Sequence, residues 1–237
     1  MQSRPMSGID RACCLLPTGG AVWAYDSEVD MRRSTVSYCS GVAFGGGIAA
    51  GVSRVTLVDM HMADNIAKFA PDDGNLRYSF GGAVYSAASL LRVANSSFSN
   101  NQAFSGAVYV DGAPAVLGFS ERANQPASLA DVVFTNNLAS ACAGVLVSAA
   151  TVQARGMLLA NNTALGSNGG GMCMYGTATV VLHGNTSHVV GNVAAAYGGG
   201  LYIETQSTLV SDAATPWSAS FPSLVVDSNT ATDVGGG

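Results

Sequence analysis

The sequence predicts an all-β chain, a right-handed parallel β-helix (solenoid) of about seven to eight irregular coils. Three observations predict it: a motif that recurs at uneven intervals, a glycine cluster at a similar place in most copies, and short runs of alternating β-branched residues between them. The motif reads as an apolar residue, two variable residues, Asn, one variable residue, Ala, then a short gap and glycines followed by apolar residues. Its asparagines, Asn65, Asn101, Asn137, Asn162, Asn192 and Asn229, are separated by 36, 36, 25, 30 and 37 residues. Helix-pair repeats keep a nearly fixed length and a 3.6-residue apolar period, whereas stacked strand coils tolerate inserts at their corners. A β-propeller blade needs roughly 40 residues of four strands and an aromatic signature that this chain lacks.

Taken in order, the copies begin with an orphan GGAVW at Gly19 to Trp23, which implies an incomplete first coil. VSYCSGVAFGGGI, Val36 to Ile48, carries Cys39 where Asn is expected, and MADNIA, Met62 to Ala67, reaches its GGAVY only after an insert. The best copies span Phe98 to Val110, Phe134 to Val147 and Leu159 to Tyr175; two more run from Val189 to Ile203 and from Val226 to Gly237. The inserts Lys68 to Ser79 and Gly112 to Ser128 carry Pro, Asp, Asn and Gly, which are loop residues. SRVTLVDM, TATVVLHG and SLVVDS show the period-two alternation of half-buried strands.

Each motif position has a physical role. The apolar residues Phe98, Phe134, Leu159, Val189 and Val226 point inward and stack on their equivalents one coil away, at the strand spacing of roughly 4.8 Å. A turn bends the backbone where Asn sits, and inward Asn amides hydrogen-bond up and down the stack as a ladder. The following Ala fits where space is short. The repeat glycines Gly20, Gly46, Gly82, Gly106, Gly144, Gly170, Gly199 and Gly236 permit positive φ and close backbone approach at the next corner. Residues 1–18 are expected to be an irregular N-terminal segment, and residues 19–237 a single repeat domain truncated at its C-terminal end.

Composition narrows the function. Charged residues make up 11% of the chain, 48% is hydrophobic and glycine contributes 29 residues, so the chain can bury apolar surface. Lys68 is the single lysine and no Lys or Arg follows Arg155, so no basic stripe is available for phosphates; nucleic acid is not expected as a partner. The net charge of −5 reads as an ordinary solubilising surface. No membrane span is predicted, since the longest weakly polar stretch, residues 41 to 58, is broken by glycines, Ser53 and Arg54. The opening MQSRPMSGIDRACCLLP is too short in its apolar part for a signal peptide. Cys13, Cys14, Cys39, Cys142 and Cys173 are odd in number and unpatterned, so neither a zinc site nor a disulfide framework is predicted, and most are expected as small buried apolar residues.

The paired FxxN and GGA(V/I/L) tetrapeptides resemble the repeats of the chlamydial polymorphic membrane protein family, over roughly residues 19 to 237. The match rests on Phe98 with Asn101, Phe134 with Asn137, and the GGAV runs at Gly19 to Val22 and Gly81 to Val84, while other copies replace Phe with Leu159, Val189 or Val226. The resemblance implies a pectin-lyase-like right-handed parallel β-helix, an exported autotransporter passenger, and a role in adhesion to host cells at the outer membrane. Neither a signal peptide nor a C-terminal β-barrel is predicted from the residues given, and both are expected departures from the family.

The chemistry that other β-helices perform sets the rival reading, a polysaccharide-active enzyme. Hydrolysis needs spaced carboxylates, and lyase chemistry needs a calcium cluster with a basic residue. Asp72-Asp73 is the only adjacent acidic pair and lies in a Pro/Gly-flanked insert, so it is read as a solvated loop. His61, His183 and His188 are isolated and are read as surface or corner histidines. The GGG runs precede no GK(S/T), so they belong to the repeat. The sequons at Asn95, Asn161 and Asn185 are within what chance places in a chain rich in Asn, Ser and Thr.

No catalytic residue, metal or cofactor is therefore predicted. The expectation is a non-catalytic cell-surface or secreted scaffold that binds protein or glycan partners, with an enzyme or a pure spacer as alternatives. An unfinished last coil adds an expectation of end-to-end self-association.

Overall fold

In the computed structural model, residues 15–16, 20–68, 79–112, 125–211 and 224–233 are described. Their regular elements are all strands, gathered into three sheets of eight, seven and twelve strands, and no helix occurs among the described residues. The chain visits the sheets in a fixed cycle. Val84–Ala87 lies in the seven-stranded sheet, Leu90–Ser99 in the twelve-stranded sheet and Gln102–Ser105 in the eight-stranded sheet; Val108–Asp111 then returns to the first. Each strand pairs in parallel with its equivalent one circuit away, as Val84 does with Ile48 and Val108. Seven such circuits follow one another among the described residues.

Leu15–Leu16 pairs in parallel with Ser40 and Gly41, so the array takes in residues earlier than 19. The insert expected from Gly112 to Ser128 falls mostly on residues outside the described set, as does that from Lys68 to Ser79. The sheets on either side of them keep register regardless. Asp111 lies opposite Ser148, and Ala127 lies opposite Val152. An insert at a corner adds chain without shifting a strand, which explains why the motif spacing varies while the stacking does not.

Alternation within strands sets the core. Thr151–Arg155 reads exposed, buried, exposed, buried, exposed, and Arg54–Val58 buries Val55 and Leu57 between partly or fully exposed neighbours. The apolar motif positions form one row: Val36, Met62, Phe98, Phe134, Leu159, Val189 and Val226 occupy the same register position in successive circuits. All but Val226 are buried to within about 1% of full burial, and Val226, in the last described circuit, is half-buried. The Phe98 and Phe134 rings stack at 4.9 Å with planes 13° apart, the separation that the strand spacing imposes.

Positive φ marks the bends. The residue before each ladder position adopts it: Tyr38, Asp64, Asn100, Asn136, Asn161, Gly191 and Ser228. The bend thus falls one residue ahead of the motif asparagine, on residue types that are mostly Asn, Asp or Gly, for which the left-handed conformation costs least. The asparagine itself is left free to turn its side chain inward.

Candidate functional site

The six motif asparagines are buried, from 0% exposure at Asn65 to 7% at Asn229. From Asn101 onward each side-chain oxygen accepts two bonds from the previous circuit, one from the backbone and one from the side chain of the equivalent asparagine. Asn101 N and Nδ2 donate to Asn137 Oδ1 at 2.9 and 3.0 Å, and Asn137 N and Nδ2 donate to Asn162 Oδ1 at 3.1 and 2.8 Å. The pattern continues through Asn192 to Asn229. Each Nδ2 also donates to a carbonyl of the apolar row one circuit back, for example Asn137 to Phe98 O at 3.0 Å and Asn192 to Leu159 O at 2.8 Å. Cys39 occupies the ladder position in its circuit, and its backbone N still donates to Asn65 Oδ1 at 3.1 Å.

The alanine after each asparagine joins a second inward row, in which Ala139, Ala164, Ala194 and Ala231 lie in register. The cross-section is pinched beside this row. A Cβ added at Gly199 would lie 2.2 Å from Thr230 O, so the backbone entering the seven-stranded sheet touches the backbone just past the next asparagine.

The repeat glycines do not share one position. Gly46, Gly82, Gly170 and Gly199 are the second residue of their clusters and serve close approach, whereas Gly106 has φ +66 and belongs with Gly45, Gly81, Gly169 and Gly198, the positive-φ residues at that corner. Gly144 stands one place later, beside Gly171, because Cys142 holds the positive-φ position with φ 55. The corner preceding Val108 is one residue shorter than the others, which sequence alignment of the glycines conceals. Gly20 packs against Gly46, while Gly236 lies outside the described residues, as do Asp72 and Asp73.

Two features of the sites were not read from the sequence. The first is a set of serine brackets at the other bends. Ser53 N donates to Ser89 Oγ at 2.9 Å and Met60 N to Ser96 Oγ at 3.0 Å, while each hydroxyl donates back to a carbonyl two residues earlier. Ser27 with Ser53, and Met157 with Ser187, repeat the arrangement. The available signal was a Ser that directly follows a bend residue, as in Asp26-Ser27 and Asn95-Ser96. The second is a disulfide between Cys142 and Cys173, which the unpatterned cysteine spacing did not predict. Leu146 and Cys173 are register partners, and the corner residue Cys142 reaches the strand of the next circuit at a Cα separation of 5.4 Å. Cys39 remains a buried free thiol.

The bridge belongs to an apolar strip on the outer face of the seven-stranded sheet. Trp23, Ala49, Tyr85, Tyr109, Leu146, Cys173 and Tyr202 occupy one register row along it. Phe80 lies 4.9 Å from Tyr109, Tyr85 lies 5.4 Å from Tyr109, and Tyr175 lies 5.5 Å from Tyr202. Burial, helped by the charge of Asp111, pushes the Tyr85 phenol up to about 12. Tyr109 and Tyr175 are raised for the same first cause, with hydrogen bonds from Ser148 and Asn168 respectively opposing it. At the strip's N-terminal end the rings open to solvent. Trp23 and Tyr25 are 56% and 52% exposed, their planes lie 9° apart, and Tyr25 rests over Gly51, where a Cβ would meet the ring at 3.2 Å.

The remaining polar groups are dispersed. Arg155 pairs with Asp131 at 3.1 Å and Arg32 with Asp30 at 2.8 Å, and His61 Nδ1 lies 2.8 Å from Ser97 Oγ. Among the described residues no three His, Cys, Asp or Glu side chains converge as metal ligands, and no helix is long and apolar enough to cross a membrane. Comparison of the chain with family models, with curated proteins and with solved structures returns no match.

Proposed function

We propose that the chain is a right-handed parallel β-helix of the polymorphic membrane protein type. In this reading it is a non-catalytic scaffold at the cell surface or outside the cell, holding protein or glycan partners on its outer face. The observation that carries this is the outer strip of the seven-stranded sheet, which ends in the exposed Trp23 and Tyr25 pair. A spacer needs no aromatic platform, whereas parallel flat rings suit the apolar faces of sugars or of protein side chains. The division of labour inside the coil agrees with it. Asparagines, serines and glycines facing inward are occupied in holding circuits together, which leaves the outer faces for recognition. The disulfide supports an exported location, because such bonds persist in oxidising compartments.

The test is binding of the folded chain to arrays of neutral glycans and to purified surface glycoproteins, beside a Trp23→Ala/Tyr25→Ala variant. Retention that falls at least tenfold in the variant supports the scaffold reading. Equal retention by both chains rejects the platform. Turnover of pectin or polygalacturonate that survives repurification and disappears with one carboxylate substitution replaces the scaffold with an enzyme.

A further inference from the structure

Ladder and sequon asparagines are placed differently by the structure. Ladder asparagines are buried with both amide atoms bonded, and each is followed two residues later by an inward Ala: Ala67, Ala103, Ala139, Ala164, Ala194 or Ala231. That Ala fits the pinch in the cross-section, and it also removes the hydroxyl residue that an N-glycosylation sequon requires. The three sequon asparagines, Asn95, Asn161 and Asn185, are all exposed. Asn95 and Asn161 sit at positive-φ bends and Asn185 follows Gly184, another such bend. Among the described residues no side-chain hydrogen bond engages their amides. Neighbouring circuits leave space beside two of them. A Cβ at Gly191 would lie 2.6 Å from Asn161 Oδ1, so a glycine stands where a side chain would crowd Asn161, while one at Gly156 would lie 3.6 Å from Asn185 Cβ, an ordinary contact that leaves Asn185 uncrowded. A second observation is independent of the sequons: Cys142 and Cys173 are joined by a bond of the kind that persists in oxidising compartments.

We infer that Asn95, Asn161 and Asn185 are acceptors for N-linked glycans, added in the same oxidising lumen in which Cys142 and Cys173 are joined. The inference rests on the exported location proposed above and is independent of what the aromatic strip binds. The donor class is a lipid-pyrophosphate-linked oligosaccharide. Asn Nδ2 forms a bond to C1 of the first sugar, the C1–O bond to pyrophosphate breaks, the leaving group keeps that electron pair, and Nδ2 gives up one proton; nothing is oxidised or reduced. Ser187, the hydroxyl residue for Asn185, is buried, so transfer precedes folding and the finished coil has only to accommodate the product. The exposed bends do so. They border the twelve- and eight-stranded sheets, so the glycans leave the aromatic face of the seven-stranded sheet open.

The experiment expresses the full chain behind a cleavable secretory leader in eukaryotic cells, with Asn95→Asp, Asn161→Asp and Asn185→Asp singly and together. Asp tolerates the bend conformation and cannot accept a glycan. Intact mass is measured before and after peptide N-glycosidase. The expected result is three glycans, one lost in each single variant, on a chain whose disulfide and protease resistance match those of the triple variant. A secreted, disulfide-bonded chain of unmodified mass overturns the inference, and so does a glycosylated chain in which the bridge fails to close. Should the chain be retained in the cell, translation with microsomes reads occupancy directly, and empty sequons there also overturn it. Failure of the scaffold reading would instead appear as lost binding at unchanged glycan mass.

Discussion

Replacing Asn137 by Ala probes the ladder at its middle. The substitution deletes four hydrogen bonds: Nδ2 to Phe98 O, Nδ2 to Asn162 Oδ1, and the two that Asn101 N and Nδ2 donate to Asn137 Oδ1. Asn101 Nδ2 keeps Met62 O at 3.0 Å and Asn162 Oδ1 keeps Asn137 N, so neither is stranded. Asn101 N loses the acceptor it has here, inside a residue that is 0% exposed. One stranded buried donor costs about 1–3 kcal/mol and the remaining net losses add roughly another 1, giving about 2–4 kcal/mol in all. At about 2–4 °C per kcal/mol for a chain of this size, the melting temperature should fall by roughly 5–15 °C. Circular dichroism melts and urea midpoints measure it, with the exposed strand residue Gln153→Ala as control. A shift for Asn137→Ala no larger than the control's refutes the reasoning. Asn137→Asp sharpens the test: it keeps an acceptor for Asn101 but sets oxygen against Asn162 Oδ1 and buries a charge, so its destabilisation should grow as pH rises through the carboxylate range.

Reduction of the Cys142–Cys173 bridge, 31 residues apart, should lower stability by about 3–4 kcal/mol from regained loop entropy; an unchanged urea midpoint in dithiothreitol would exclude a role for the bridge in the fold. Ser86→Ala should raise stability by about 1 kcal/mol, because its buried hydroxyl has no partner among the described residues and lies in an inward row beside Ala50 and Val110; a lower melting temperature would mean the hydroxyl is satisfied. The tyrosines predict alkaline behaviour. A phenol raised in the folded state stabilises fully below about pH 10, its unfolded value, and that contribution is lost as pH rises towards about 12 for Tyr85. Absorbance at 295 nm should therefore show a delayed phenolate fraction that merges with unfolding, and titration of every tyrosine near pH 10 in the folded chain would contradict it.

The apolar rows and the asparagines that meet in the ladder are the residues that the repeated pattern picks out. They are legible because a one-dimensional stack makes each circuit solve the same local problem, so inward positions repeat their chemistry in sequence. Asn-x-Ala recurs because each copy faces the same pinch and the same unpaired backbone groups. What the pattern could not carry was everything set by contact between circuits at a particular height. Cys142 and Cys173 are unremarkable in sequence, and only the register of Leu146 with Cys173 and a corner held at positive φ bring them together. Gly106 and Gly144 look equivalent to Gly82 in an alignment, yet a corner one residue shorter and a cysteine at the bend assign them different conformations. The serine brackets escaped because Ser is common in turns and its repeat is broken by Met60 and Met157, so only the hydrogen bonds reveal it. Exposure decided the rest. Trp23 is only the end of an orphan GGAVW in the sequence, Tyr25 belongs to no motif, and Asn95, Asn161 and Asn185 read as chance sequons, until the winding of the chain placed them all on the outside. Strand alternation divides the two faces of a sheet, but which outer positions a neighbouring circuit covers depends on the side chains that circuit sets beside them.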